Sequence, residues 1–126
     1  MTGETILVVE DDGLIALHLV ELLEKAGYRV IDPACSGERA LRTLEKSPQP
    51  DLILMDIGLA GLLDGIETAL QIRQKFLIPL IFVTAYTSEK TFKRMQEVAP
   101  DGVIIKPFVH EDLLALIKKA LNRPAA

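Results

Sequence analysis

The sequence predicts an α/β fold, a parallel sheet with helices on both faces. Three observations predict it. The apolar runs Ile6-Leu7-Val8-Val9, Leu52-Ile53-Leu54-Met55, Leu80-Ile81-Phe82-Val83 and Val103-Ile104-Ile105 are continuous rather than alternating, as strands covered on both faces read. Segments of helical spacing separate them, giving five strand-then-helix units on short connections. Each of the four runs also ends on a group suited to phosphate or metal chemistry: Glu10-Asp11-Asp12, Asp56, Thr84 and Lys106. Parallel strands deliver these groups to one sheet edge, the carboxyl ends where open α/β sheets bind ligands.

Thr5–Val9 reads as the first strand. A helix follows from about Gly13 to Ala26, with Ile15, Leu19, Leu22, Leu23 and Ala26 expected to face inward, and Gly27 sits where a C-terminal glycine stops a helix. Tyr28–Asp32 reads as a second strand. Ser36 is placed to cap a helix running to Glu45, with Ala40, Leu41 and Leu44 inward. Ser47-Pro48-Gln49-Pro50 cannot continue it and reads as a loop. After the run ending at Met55 comes the loop Ile57–Leu63, and Asp64-Gly65 opens a third helix with Ile66, Ala69, Leu70 and Ile72 apolar. Pro79 ends that connection before the strand Leu80–Val83. Ser88 is placed to cap a fourth helix carrying Phe92 and Met95. Pro100-Asp101-Gly102 turns the chain into Val103–Ile105, and a last helix from about Glu111 carries Leu113, Leu114, Ile117 and Leu121 on one stripe. The four apolar runs are expected to be buried strands.

The 126 residues fit one domain. Apolar residues make up 49%, enough for a core, and 25% are charged, which argues against disorder. Net charge is −4 and Lys and Arg form no basic stripe, so direct nucleic-acid binding is disfavoured. No apolar run approaches the roughly 18 residues of a membrane span, and Met1-Thr2-Gly3-Glu4 lacks the start of a signal peptide. Cys35 is the only cysteine, so no internal disulfide forms. It is expected to be a small buried residue, in a reducing cytoplasm.

Taken alone, each strand-end group has an ordinary reading. An Asp after a strand caps the next helix, Asp56 is a loop acid, Thr84 a strand residue and Lys106 a solvated charge. None of these explains why all of them fall at one edge. The motifs Val8-Val9-Glu10-Asp11-Asp12, Leu54-Met55-Asp56, Asp64-Gly65, Thr84-Ala85 and Lys106-Pro107-Phe108, in this order, resemble the receiver domain of two-component response regulators over nearly the whole chain. The resemblance implies a flavodoxin-like (βα)5 three-layer sandwich with strand order 2-1-3-4-5. It implies a receiver over residues 1–122, with 123–126 a tail or the start of a linker. No effector domain follows in this sequence, which leaves a stand-alone receiver or the receiver segment of a longer protein.

The resemblance also implies a chemistry. Asp56 would be the phosphoacceptor, taking a phosphoryl group from the phosphohistidine of a sensor histidine kinase or phosphotransfer protein. Glu10 and Asp11 match the family's acidic pair and would hold Mg²⁺ with Asp56 and the backbone carbonyl of Gly58, with Mn²⁺ able to substitute. Asp12 would be a flanking third acid. Thr84 would bond a phosphoryl oxygen, and Lys106 would pair with Asp56 at rest and with the phosphoryl group afterwards. Lys106-Pro107 resembles the family's cis peptide. The chain would catalyse only its own phosphorylation and dephosphorylation, and would not be an enzyme in the wider sense. Output would pass through the face of the fourth helix, fifth strand and fifth helix, about Ser88 to Asn122, which could also form a homodimer.

Two departures from the family stand out. The position three before the lysine, often an aromatic whose rotamer reports phosphorylation, is Val103, which excludes a tyrosine switch there. Tyr86, two after Thr84, takes over some of that role, shields the site, or is a half-buried loop tyrosine. The loop from Asp56 to Asp64 is one residue longer than usual and has Ala60 where a proline is common, which bears on Gly58 as a ligand. A haloacid-dehalogenase type of phosphatase would need an acid two residues after its nucleophile, but Asp56 is followed there by Gly58 and Asp11 by Gly13. A flavodoxin-like flavin carrier would need a Ser/Thr/Gly-rich loop where Glu10-Asp11-Asp12 stands. His18 and His110 are read as packing or surface residues, not phosphodonors.

Overall fold

The computed structural model describes residues 3–46, 48–59, 61–85 and 88–122. Five strands and five helices alternate: β1 (Thr5–Val9), α1 (Gly13–Lys25), β2 (Arg29–Val30), α2 (Gly37–Glu45), β3 (Leu52–Asp56), α3 (Gly65–Lys75), β4 (Leu80–Thr84), α4 (Glu89–Val98), β5 (Gly102–Ile105) and α5 (His110–Leu121). All pairings are parallel, in the order β2-β1-β3-β4-β5. The predicted α/β class and strand order are both found.

Side chains alternate between the faces of a strand, and this divides the core. Leu7, Val9, Ile53, Met55, Leu80 and Phe82 point to the side covered by α2, α3 and α4. Ile6, Val8, Leu52, Leu54, Ile81 and Val83 point to the side covered by α1 and α5. Helices therefore lie on both faces and the molecule has three layers.

Local signals set the helix starts. Asp12 accepts from the N–H groups of Leu14 and Ile15, and Ser36 from that of Arg39. Asp64 and Glu67 form a reciprocal capping box, and Ser88 accepts from Thr91. At the end of α1, Gly27 adopts φ 98° just beyond the cap residue Ala26, the left-handed turn that glycine makes without strain.

Several expectations about burial need correction. β5 is an edge strand, half-buried rather than buried, and Ile105 is 49% exposed, because no strand covers its outer side. β2 shrinks to two residues. Pro33, which has no N–H, interrupts the ladder, which resumes only as an isolated bridge between Val9 and Ala34. The buried line of α1 is Ala16, Leu19 and Leu23, whereas Ile15 is exposed and Leu22 and Ala26 are half-buried. Leu41, Leu114 and Leu121 are half-buried, while Leu70 and Phe92, for which no burial was expected, are exposed. A helix laid on a sheet buries a narrower line than its apolar stripe. Cys35 is exposed, because the bridge to Val9 turns Ala34 inward and so turns its neighbour out. His18 and His110 are both exposed. Ser47, Ala60, Tyr86 and residues 123–126 lie outside the described residues. Among the described residues no helix is long and apolar enough to cross a membrane.

Candidate functional site

Glu10 follows β1 and is 4% exposed. Its backbone N–H donates to Ala34 O at 3.0 Å, which holds the turn after β1 against the start of the β2–α2 connection. Asp11, next in the chain, is exposed. Asp56 is the last residue of β3, and the N–H of Gly58 folds back towards its Oδ1 at 3.4 Å. One carboxylate oxygen each from Glu10, Asp11 and Asp56 lie within 4.8 Å of one another. Asp12 stands apart from this group. Its Oδ1 accepts from Leu14 and Ile15, so it caps α1 while its own N–H donates to Glu10 Oε2 at 3.1 Å.

Thr84 is the last residue of β4 and is 4% exposed. Its carbonyl accepts from the Lys106 N–H at 2.7 Å, tying the end of β4 to the turn after β5. The peptide between Lys106 and Pro107 is cis, as expected. Lys106 Nζ donates to Glu10 Oε1 at 3.2 Å. Its expected resting partner was Asp56, so that pairing is corrected. The Glu10 side chain is only 3% exposed, and a buried carboxylate needs a counter-charge more than a half-buried one does.

Three acids and one ammonium leave an excess of negative charge, and the Glu10 carboxyl registers it. It is pushed up from its ordinary 4.5 to about 7. Burial is the largest cause. The Asp12 N–H pulls it back down, the charge of Asp56 and a hydrogen bond with Asp56 raise it again, and Lys106 lowers it. Between pH 4.5 and 7 the folded chain thus binds more protons here than the unfolded chain. Stability of the metal-free protein is therefore expected to fall as pH rises through that window, by about 2 kcal/mol from this group. Urea unfolding in chelator at about pH 5 and about pH 8 should show the loss, and Glu10→Gln should flatten it. Parallel pH dependence in the two proteins would rule the effect out.

The loop carrying Asp56 is held from below by α3. Gly65, its first residue, donates to Ile57 O at 2.8 Å, and a Cβ on Gly65 would overlap the Asp56 carbonyl oxygen. Only glycine allows that close approach. Two further residues carry no local sequence signal, one beside this framework and one at the opposite edge of the sheet. Arg94 on α4 pairs with Asp64 Oδ2 at 2.9 Å. Arg73 on α3 binds Asp101 and the carbonyls of Ile78, Val98 and Ala99. Their partners lie far along the chain, and only the packed fold brings them together.

A hard divalent cation fits this donor set, since three carboxylates converge against a single ammonium. The chain is also similar to known proteins over nearly its whole length. The family model for the response regulator receiver domain matches residues 6–118. The chain is 31% identical over 118 residues to the transcriptional regulatory protein PdtaR of Mycobacterium tuberculosis, covering 94% of this chain and 57% of that one. It spans about half the length of the curated relatives it matches. The signal receiver domain of a modulated diguanylate cyclase from Desulfovibrio desulfuricans superposes with a TM-score of 0.88 at 37% identity, covering 94% of both chains. The receiver domain of a sensor histidine kinase from Pseudomonas aeruginosa, solved with a magnesium ion coordinated in its active-site cleft, gives a TM-score of 0.86 at 27% identity. That match covers 96% of this chain and 99% of the other.

Proposed function

This chain belongs to the response regulator receiver domain family and is a receiver domain of two-component signalling, and from that premise we propose that Asp56 is its phosphoacceptor. What supports this reading most is one observation: the Asp56, Glu10 and Asp11 oxygens converge within 4.8 Å at the strand-end edge that also carries Thr84 and Lys106. The receiver unit would be residues 1–122, and 123–126 would be a tail or the start of a linker.

In the reaction a carboxylate oxygen of Asp56 forms a bond to phosphorus as the bond from phosphorus to the donor histidine nitrogen breaks. The imidazole leaves with the electron pair and takes up a proton. A carboxylate is a weak nucleophile and the incoming group is an anion, so the work is positioning and charge neutralisation. Mg²⁺ or Mn²⁺, held by Glu10, Asp11, Asp56 and the Gly58 carbonyl, would neutralise charge shared by the nucleophile and the phosphoryl oxygens. Lys106 moves from Glu10 to a phosphoryl oxygen, and the Thr84 hydroxyl donates to another. The phosphodonor is a sensor histidine kinase or phosphotransfer protein. The α4–β5–α5 face, with Phe92 and Ile105 exposed on it, shifts population between two conformations and carries the signal.

Incubation with acetyl phosphate and Mg²⁺ tests this reading. About one phosphoryl group per chain is expected, in an alkali-labile, hydroxylamine-sensitive linkage of acyl-phosphate character. No uptake, or uptake on a histidine, would overturn it.

The metal has its own test. Lys106 and the cation compete for Glu10, so Lys106→Ala is expected to tighten Mg²⁺ binding roughly three- to tenfold. Asp11→Ala should weaken it beyond detection, since too few charged oxygens remain. Titration calorimetry reads both, and unchanged affinity in both variants would place the cation elsewhere.

A further inference from the structure

α4 is lightly held by apolar contacts: of its ten residues only Met95 and Val98 are buried. Polar links to α3 hold much of the rest. At the C-terminal end, Arg73 donates from Nε to Val98 O at 3.3 Å and from Nη2 to Ala99 O at 3.1 Å. In the middle, Arg94 Nη2 meets Asp64 Oδ2 at 2.9 Å. Asp64 is itself fixed at every polar atom. Its Oδ1 accepts from the Glu67 N–H at 2.8 Å, its N–H donates to Glu67 Oε1 at 2.9 Å, and its carbonyl accepts from Thr68 Oγ1 at 2.8 Å. The next residue, Gly65, rests against the Asp56 carbonyl and bonds Ile57 O. An unbroken line of contacts thus runs from the Asp56 backbone through the α3 cap to Arg94.

We infer that the Asp64–Arg94 ion pair is the clasp through which the Asp56 loop sets the position of α4, and that Arg94 is a positioning residue for the switch. The inference rests on the phosphoacceptor reading of Asp56. Charge arriving on Asp56 displaces the Asp56–Gly58 backbone. Gly65 leaves no slack between that backbone and the first turn of α3, so the displacement moves the Asp64 carboxylate and loosens its hold on Arg94. With Val103 in place of a rotameric aromatic, this polar route does what a ring flip would otherwise do. An element with few buried apolar contacts responds to the loss of one polar link by local opening.

Hydrogen exchange of the α4 amides in the whole chain, with and without the phosphoryl mimic beryllofluoride plus Mg²⁺, tests the clasp. Arg94→Ala is expected to speed α4 exchange in untreated protein about threefold, the scale of a half-exposed ion pair, and to leave β1 and β3 unchanged. The further change on adding beryllofluoride should fall by more than half. Asp64→Asn keeps a capping side chain but loses the charge, so it should behave like Arg94→Ala. The double variant should be no faster than either, since both remove one interaction. Arg94→Lys should restore part of the response. Untreated exchange that does not change, or effects that add in the double variant, would overturn the clasp. So would a full beryllofluoride response in Arg94→Ala. If beryllofluoride fails to bind wild-type protein at all, the phosphoacceptor reading fails, and the untreated arm still decides whether the ion pair holds α4.

Discussion

Replacing Asp56 with asparagine is expected to abolish phosphoryl uptake while the fold survives. Asparagine keeps the shape of the side chain but offers no anionic oxygen to attack phosphorus. The substitution also removes a charge that now pushes Glu10 upward, so Glu10 ionises more readily and the crowded edge relaxes. Resistance to urea at neutral pH should therefore be equal or greater in the variant, which separates lost chemistry from lost structure. Mg²⁺ affinity should fall, because one of three converging carboxylates is gone. Intact-mass analysis after acetyl phosphate treatment reads the first outcome. A variant that still takes up one equivalent would move the acceptor away from β3.

Arg73→Ala is expected to cost about 3 to 5 kcal/mol of stability and to lower the melting temperature by about 10 °C or more. The Arg73 side chain is 19% exposed and that of Asp101 only 6%. Their ion pair at 3.0 Å closes the sheet edge opposite the acidic site, where Asp101 Oδ2 also accepts from the Leu80 N–H at 2.8 Å. The guanidinium further serves the carbonyls of Ile78 at 2.7 Å, Val98 and Ala99. Alanine takes the Arg73 charge from beside a nearly buried carboxylate and strands those carbonyls. Adding Asp101→Asn should recover part of the loss by lowering the cost of that buried charge. Thermal and urea melts of the single and double variants check this. A shift within about 1 kcal/mol for Arg73→Ala would show that water replaces the arginine freely.

Reading the chain locally went far wherever one residue and its neighbours along the chain settle the outcome. Ser36 and Ser88 cap helices where expected, and Asp64 caps the helix it opens, because a cap is a bond between a side chain and a backbone N–H three residues on. Gly27 ends α1 because glycine alone enters φ 98° freely. The central strands were legible as unbroken apolar runs, and their ends announced the site: Glu10, Asp11, Asp56, Thr84 and Lys106 all emerge at one edge. Periodicity misled on α1. Its apolar stripe is wide, and the line that faces the sheet, Ala16, Leu19 and Leu23, is the one opposite the polar residues His18, Glu21, Glu24 and Lys25.

Strand runs, helix caps and the chemistry of the edge thus belong to the sequence, because bonds within a few residues and the parallel direction of the strands suffice to produce them. The partners across the fold do not. Lys106 reaches Glu10, 96 residues away, and Arg73 and Arg94 reach Asp101 and Asp64, 28 and 30 residues away. β5 is left half-exposed because it lies at the sheet's edge. These outcomes depend on how helices and strands pack, and on which carboxylate that packing buries most deeply. An ammonium or guanidinium goes where burial has made a negative charge most costly, and burial is a property of the assembled fold.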